Sequence, residues 1–76
     1  MAPPHGIPRP QWAVRFFDED GREITTHTAT TEAGAERHAR RILGRMTADG
    51  RTVCSADLCE LAPDGAYRAT GEQYEY

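Results

Sequence analysis

The sequence predicts an α+β domain of order β-β-α-β-β, in which a four-stranded, mostly antiparallel sheet has one helix packed on one face. Three observations support this fold class: an alternating apolar segment that leads into a turn, an amphipathic segment with helical periodicity, and a second extended segment that leads into a turn. Two hairpins joined by a helix bury their apolar side chains most simply as one sheet covered on one face. With 76 residues the chain has room for a single core.

The N-terminal segment differs in composition from the rest of the chain. Residues 1–10 contain four of the five prolines, which exclude a helix or a central strand there. We therefore expect a flexible, proline-rich tail over residues 1–10 and a single small α+β domain over residues 11–76. A frayed terminus and a polyproline ligand for a partner domain are the two interpretations of this tail.

The first hairpin is predicted by period-two alternation over residues 12–17 and by the turn residues that follow. A three-residue loop that ends in a left-handed Gly21 pairs Ile24 with Phe16 and gathers the apolar side chains on one face. Because burial fixes the register of a strand pair, we favour this loop over a two-residue one. This register turns the following side chains away from the helix: Arg15, Phe17, Glu23, Thr25 and His27.

The helix is predicted from a capping residue, an apolar stripe and a terminating glycine. Thr30 or Thr31 is the N-cap, and Asp49-Gly50 ends the helix because glycine suits the left-handed position beyond a helix C-terminus. At helical spacing, five apolar residues fall within one stripe about 100° wide, which we expect to lie on the sheet. The stripe consists of Ala35, Ala39, Ile42, Leu43 and Met46.

The second hairpin is predicted by the Pro-Asp-Gly turn at residues 63–65. This turn gives the following pairs: Leu61 with Tyr67, Glu60 with Arg68, and Cys59 with Ala69. The apolar residues near the turn have the opposite parity to those over residues 54–58. A bulge near Asp57–Leu58 or at Gly71 would reconcile the two sets, and the alternative is a sheet that is partly covered on both faces.

The most suggestive functional feature is a row of arginines on the predicted outer face of the helix. Arg37, Arg41 and Arg45 recur at i,i+4 in a chain of net charge −3, although like charges at that spacing slightly destabilise a helix. Such a row suits an acidic protein partner or the phosphates of a nucleic acid, and Gly44 would allow close approach. A solvated face whose arginines pair with nearby acids is the alternative.

Aromatic residues provide a second functional indication. Phe17 on the exposed sheet face and Tyr74 and Tyr76 near the C-terminus indicate a protein interface, because aromatic and arginine side chains are enriched in interface hot spots. The final strand is also an edge that could pair with a second copy of the chain. Packing of Tyr74 in the core, with Phe17 as a scattered exposed residue, is the alternative.

The sequence contains no pattern that indicates a catalytic, metal or cofactor site. Its histidines and cysteines lack zinc-site spacing, and its glycines form no phosphate-binding loop. Cys54, His27 and Asp57 can be combined into a nucleophile, base and acid, but nothing in the sequence brings them together. We therefore expect a non-catalytic protein without cofactor or metal.

The expected location is the cytoplasm, without membrane contact. The N-terminus lacks the pattern of a secretory signal, and no apolar stretch approaches the roughly 18 residues that span a bilayer. Cys54 and Cys59 would lie about 16 Å apart on one strand, too far to form a disulfide. All nine basic residues are arginine and alanine is abundant, a bias typical of GC-rich genomes, so we expect a bacterial or phage origin.

These features predict a small non-catalytic protein–protein interaction module that binds another protein or a second copy of itself. The predicted partner-binding residues are Phe17, Arg37, Arg41, Arg45, Tyr74 and Tyr76. The alternative is a nucleic-acid-binding or regulatory protein that lays the arginine face of its helix against phosphates. Rising salt should weaken phosphate binding steeply and an aromatic interface very little, which separates the two hypotheses.

Overall fold

A computed structural model describes residues 9–76 and confirms the α+β fold of order β-β-α-β-β. The four strands form one antiparallel sheet of order β2-β1-β3-β4, and the helix packs on one face of it. The elements are β1 Trp12–Phe17, β2 Glu23–Ala29, α1 Glu32–Ile42, β3 Ser55–Leu61 and β4 Tyr67–Glu75. The sheet face opposite the helix is called the open face below.

Most of the predicted tail, residues 1–8, lies outside the described residues. Its last two residues contact the second hairpin. The Arg9 guanidinium donates to the Gly65 carbonyl at 2.6 Å, and the Tyr67 hydroxyl donates to the Pro10 carbonyl at 2.6 Å. These contacts hold the beginning of the described chain against the turn between β3 and β4.

The first turn has the predicted three-residue loop. Gly21 adopts a left-handed conformation with φ +78°, which a glycine accommodates without steric cost. The Asp18 amide donates to the Arg22 carbonyl at 2.9 Å, and Phe17 lies opposite Glu23 as expected. The local turn chemistry therefore determines the pairing at this end of the hairpin.

The predicted register is wrong beyond the turn, because a bulge follows the first pair. Phe16 lies opposite Thr25 and not opposite Ile24, and all later pairs are shifted by one residue. An extra residue in one strand exchanges the faces of the residues that follow it. Thr25 and His27 therefore share the helix-facing side of the sheet, contrary to prediction, while Ile24 and Ala29 still pack against the core.

The helix begins where the sequence predicts. Of the two candidate caps, Thr31 is the N-cap: its hydroxyl accepts from the Gly34 amide at 2.9 Å. Ala35 and Ala39 are fully buried beneath the helix. Their small side chains allow the helix to lie close to β1 and β2, which it contacts most.

The predicted C-terminus of the helix is wrong, since α1 ends at Ile42. Gly44 has φ +85°, and its amide donates to the Val53 carbonyl at 2.8 Å and makes no further helical bond. The chain then forms a short hairpin in which Asp49-Gly50 lies at the turn. Met46 consequently leaves the predicted apolar stripe and is 71% exposed.

The second hairpin has the three predicted pairs next to its turn. The register shifts between Asp57 and Cys59, opposite Gly71, which has φ +100°. The predicted bulge is therefore present. Leu58 and Cys59 are nevertheless adjacent and both buried. The sheet is therefore also partly covered on both faces, which is the alternative to a bulge that the sequence offers.

The hydrophobic core lies between the helix and the helix-facing side of the sheet. Its buried members are Val14, Phe16, Ala35, Ala39, Val53, Ala56, Leu58 and Tyr74. Ala13 and Cys59, paired across β1 and β3, form a second small buried patch on the open face. Across residues 9–76, no helix is long and apolar enough to cross a membrane.

Candidate functional site

A groove of about 630 Å³ lies beside the helix, where β2 ends and α1 begins. Four residues on its helix side follow the i, i+3, i+4, i+7 spacing of one helical face, and Arg40 also borders the groove. The four are Gly34, Arg37, His38 and Arg41. Thr28, near the end of β2, and Thr31, the helix N-cap, also line the groove. We call this site the basic groove.

Arg37 and Arg41 provide the uncompensated charge of the basic groove, and both are exposed. Among residues 9–76 neither guanidinium has a carboxylate partner, and residues 1–8 contain no Asp or Glu. Arg40 differs, because it pairs with Glu36 at 2.7 Å. The interpretation of a solvated face with paired arginines thus applies to Arg40 and not to these two arginines.

Arg45 does not extend the arginine row. Because the helix ends at Ile42, Arg45 lies beyond it, and its Nε donates to the Arg41 carbonyl at 2.7 Å. This bond satisfies one of the carbonyls that a helix C-terminus leaves without a partner. The predicted row of three arginines is therefore a pair that lines the groove and a third that stabilises the end of the helix.

His38 lies between the basic groove and the sheet. Its Nδ1 is 2.9 Å from Nη2 of Arg41, and its ring is 5.7 Å from that of His27. Since a guanidinium can only donate, Nδ1 accepts and the imidazole proton is on Nε2. Burial, together with the positive charge of Arg41, lowers the pKa of His38 below 6.5.

We expect the imidazole of His38 to titrate with a midpoint below 6.5, measured by NMR from its ring protons. The folded state therefore favours the neutral imidazole. The contribution of neutral His38 to stability is complete above pH 6.5, and it is lost as the pH falls through the lowered midpoint of the folded protein. Arg41→Gln should move the midpoint upward, whereas Arg68→Gln at the other hairpin should leave it unchanged. A midpoint at or above 6.5 would contradict this electrostatic assignment.

The three predicted aromatic residues occupy three different environments. Tyr74 is 9% exposed within the core, and burial raises its pKa to about 12. Phe17 is half-buried on the open face. Tyr76 is 82% exposed, and its ring lies against Gly44 so closely that a side chain there would overlap it. The close approach predicted at Gly44 is therefore occupied by the chain's own C-terminal residue.

The structure separates the residues that could have formed a nucleophilic site. His27 lies opposite Val14 on the helix-facing side, while Asp57 lies opposite Arg15 on the open face. A sheet therefore stands between the possible base and the possible acid. Within the described part of the chain, no three His, Cys, Asp or Glu side chains are grouped so that they could hold a metal ion.

Sequence reasoning missed an ion pair that connects two loops. Asp18 is 7% exposed; its Oδ2 accepts from Nε of Arg51 at 2.9 Å, and its Oδ1 accepts from the amides of Asp20 and Arg22. The aspartate could have been identified from the Asp-x-Asp-Gly turn, because Asp side chains bind backbone amides in turns. No sequence signal identifies its partner, which lies 33 residues away.

Comparison with protein-family models, curated proteins and solved structures finds no match to this chain.

Proposed function

We propose that the protein is a small, non-catalytic interaction module that binds an acidic segment of another protein in the basic groove. The observation that supports this function is the pair of exposed arginines, Arg37 and Arg41, without carboxylate partners among residues 9–76. In a chain of net charge −3, this local positive region favours a partner with acidic side chains. Thr28 and Thr31 also line the groove and carry no charge of their own.

Phe17 and Tyr76 lie outside the basic groove, and Tyr74 lies in the core. The proposed site is therefore smaller than the surface expected from the sequence. We also propose that the protein is located in the cytoplasm. Cys54 and Cys59 are free thiols, and such thiols are typical of a reducing compartment.

The probe for this function is a capped peptide of alternating glutamate and valine with seven residues, the length of β2. We expect it to shift the amide resonances of the groove and to raise the pKa of His38, since its carboxylates would offset the nearby guanidinium charges. Arg37→Gln/Arg41→Gln should weaken binding roughly tenfold, which corresponds to two exposed ion pairs. Calorimetry or NMR titration measures this change.

The control variant Arg22→Gln/Arg68→Gln removes the same charge outside the groove and should bind the peptide like the wild type. Equal weakening in both variants would mean that net charge alone governs binding, and the proposed site would be wrong. A peptide with glutamine in place of glutamate should not bind. If a mixed-sequence DNA duplex binds more tightly than the peptide, with a steep salt dependence, the nucleic-acid function replaces the one proposed.

A further inference from the structure

We infer that the acidic partner segment binds as an added β-strand along β2, with alternate carboxylates directed to Arg37 and Arg41. This inference rests on the proposed function, and it specifies the conformation of the partner and the surface that it covers. Addition of a strand to an exposed sheet edge supplies main-chain hydrogen bonds, while the side chains on one face provide specificity.

The first support is the contrast between the two edges of the sheet. Strand order β2-β1-β3-β4 leaves β2 and β4 as the edges. β4 has charged side chains along its length and an irregularity at Gly71, features that discourage pairing with another strand. In β2 the bulge lies at one end, and residues 25–29 contain no Asp, Glu, Lys, Arg or Pro. β2 is therefore the unprotected edge.

The second support is the exposure and composition of β2. Thr25, Thr26 and Thr28 are all exposed, and no strand within residues 9–76 pairs with the outer edge of β2. Threonine has a high β propensity, and an edge strand leaves every second amide and carbonyl without a partner in the sheet. The strand thus presents unused main-chain groups in a conformation suited to pairing.

The third support is the position of the basic groove. Its lining passes from Thr28 and Ala29 at the end of β2 to Arg37 and Arg41 on the adjacent helical face. A strand added beside β2 would have half of its side chains on the helix-facing side of the sheet. Carboxylates at alternate positions would therefore approach the two guanidinium groups that have no acidic partner.

A second copy of the chain fits this edge less well. Antiparallel pairing of two β2 strands follows a two-fold axis perpendicular to the sheet, which places both helices on the same face. The two sets of Arg37 and Arg41 would then approach each other without intervening carboxylates, and like charges repel. Charge complementarity favours an acidic strand from a different protein.

The test compares two backbone-methylated forms of the alternating glutamate–valine peptide. In an extended strand, the amides of the valines point to one side and those of the glutamates to the other, so only one set can bond to β2. We expect methylation of one set to weaken binding at least about tenfold and methylation of the other to have little effect. In addition, every second amide of residues 25–29 should exchange more slowly with solvent when the unmodified peptide is bound.

Each other outcome overturns a defined part of the inference. If both methylated peptides bind like the parent and β2 exchange is unchanged, while Arg37→Gln/Arg41→Gln still weakens binding, strand addition is wrong and the proposed function stands. If the unmodified peptide does not bind at low salt, both fail. If alternate β2 amides become protected with rising protein concentration alone, the occupant of the edge is a second copy and not an acidic partner.

Discussion

Replacing Phe16 with alanine is expected to remove roughly half of the free energy of unfolding. Phe16 is fully buried between the sheet and the helix, and truncation of a buried phenylalanine costs about 3–5 kcal/mol. A domain of 76 residues has a total stability of about 4–11 kcal/mol. Urea denaturation followed by circular dichroism should show a midpoint that falls to roughly half that of the wild type.

The adjacent residue provides the matched control. Phe17→Ala removes the same side chain from the open face, where Phe17 is only half-buried and lies outside the core cluster. We expect it to cost less than half as much stability as Phe16→Ala, because less apolar surface returns to water. Equal losses for the two variants would contradict the assignment of the core to the helix-facing side of β1.

The sequence predicts this fold well where a few neighbouring residues determine the conformation. The Gly21 and Gly65 turns lie where they are predicted, Thr31 is one of the two predicted caps, and the bulge opposite Gly71 is one of the predicted solutions to the parity conflict. The C-terminus of the helix was mispredicted because Asp-Gly suits both a helix end and a hairpin turn. The competing terminator was Gly44, whose left-handed conformation is fixed by pairing with Val53.

The candidate site was predicted in part, since Arg37 and Arg41 were identified from helical spacing alone. The groove beside them was not, because its shape depends on where β2 lies relative to the helix. A bulge at Ile24 changes the faces of all later residues in β2, and it turns His27 toward His38. Simple alternation along β2 distributes its residues between the two faces differently from the arrangement that packing against the helix favours.

The second large effect is expected at the half-buried ion pair, where Asp18→Ala should lower the melting temperature by several degrees because two turn amides also lose their acceptor. The carboxylate joins the β1–β2 turn to the loop before β3 through Nε of Arg51. The same guanidinium also donates to the Glu23 carbonyl at 3.1 Å, so the ion pair helps to hold a hydrogen-bond donor against β2. Glu19→Ala, an exposed acid in the same turn, is the control and should have little effect.

The pH dependence of unfolding tests the electrostatic origin of this effect. The Arg22 amide and the Arg51 guanidinium hold the pKa of Asp18 below 3.8, against the opposing effect of burial. The folded protein thus gains stability from the ionised carboxylate of Asp18 above pH 3.8. It loses this stability as the pH falls through the lowered pKa. Asp18→Asn should remove that part of the acid dependence, so its melting temperature should approach that of the wild type as the pH falls. A constant difference between the two proteins from neutral to strongly acid pH would mean that shape, and not charge, makes this residue stabilising.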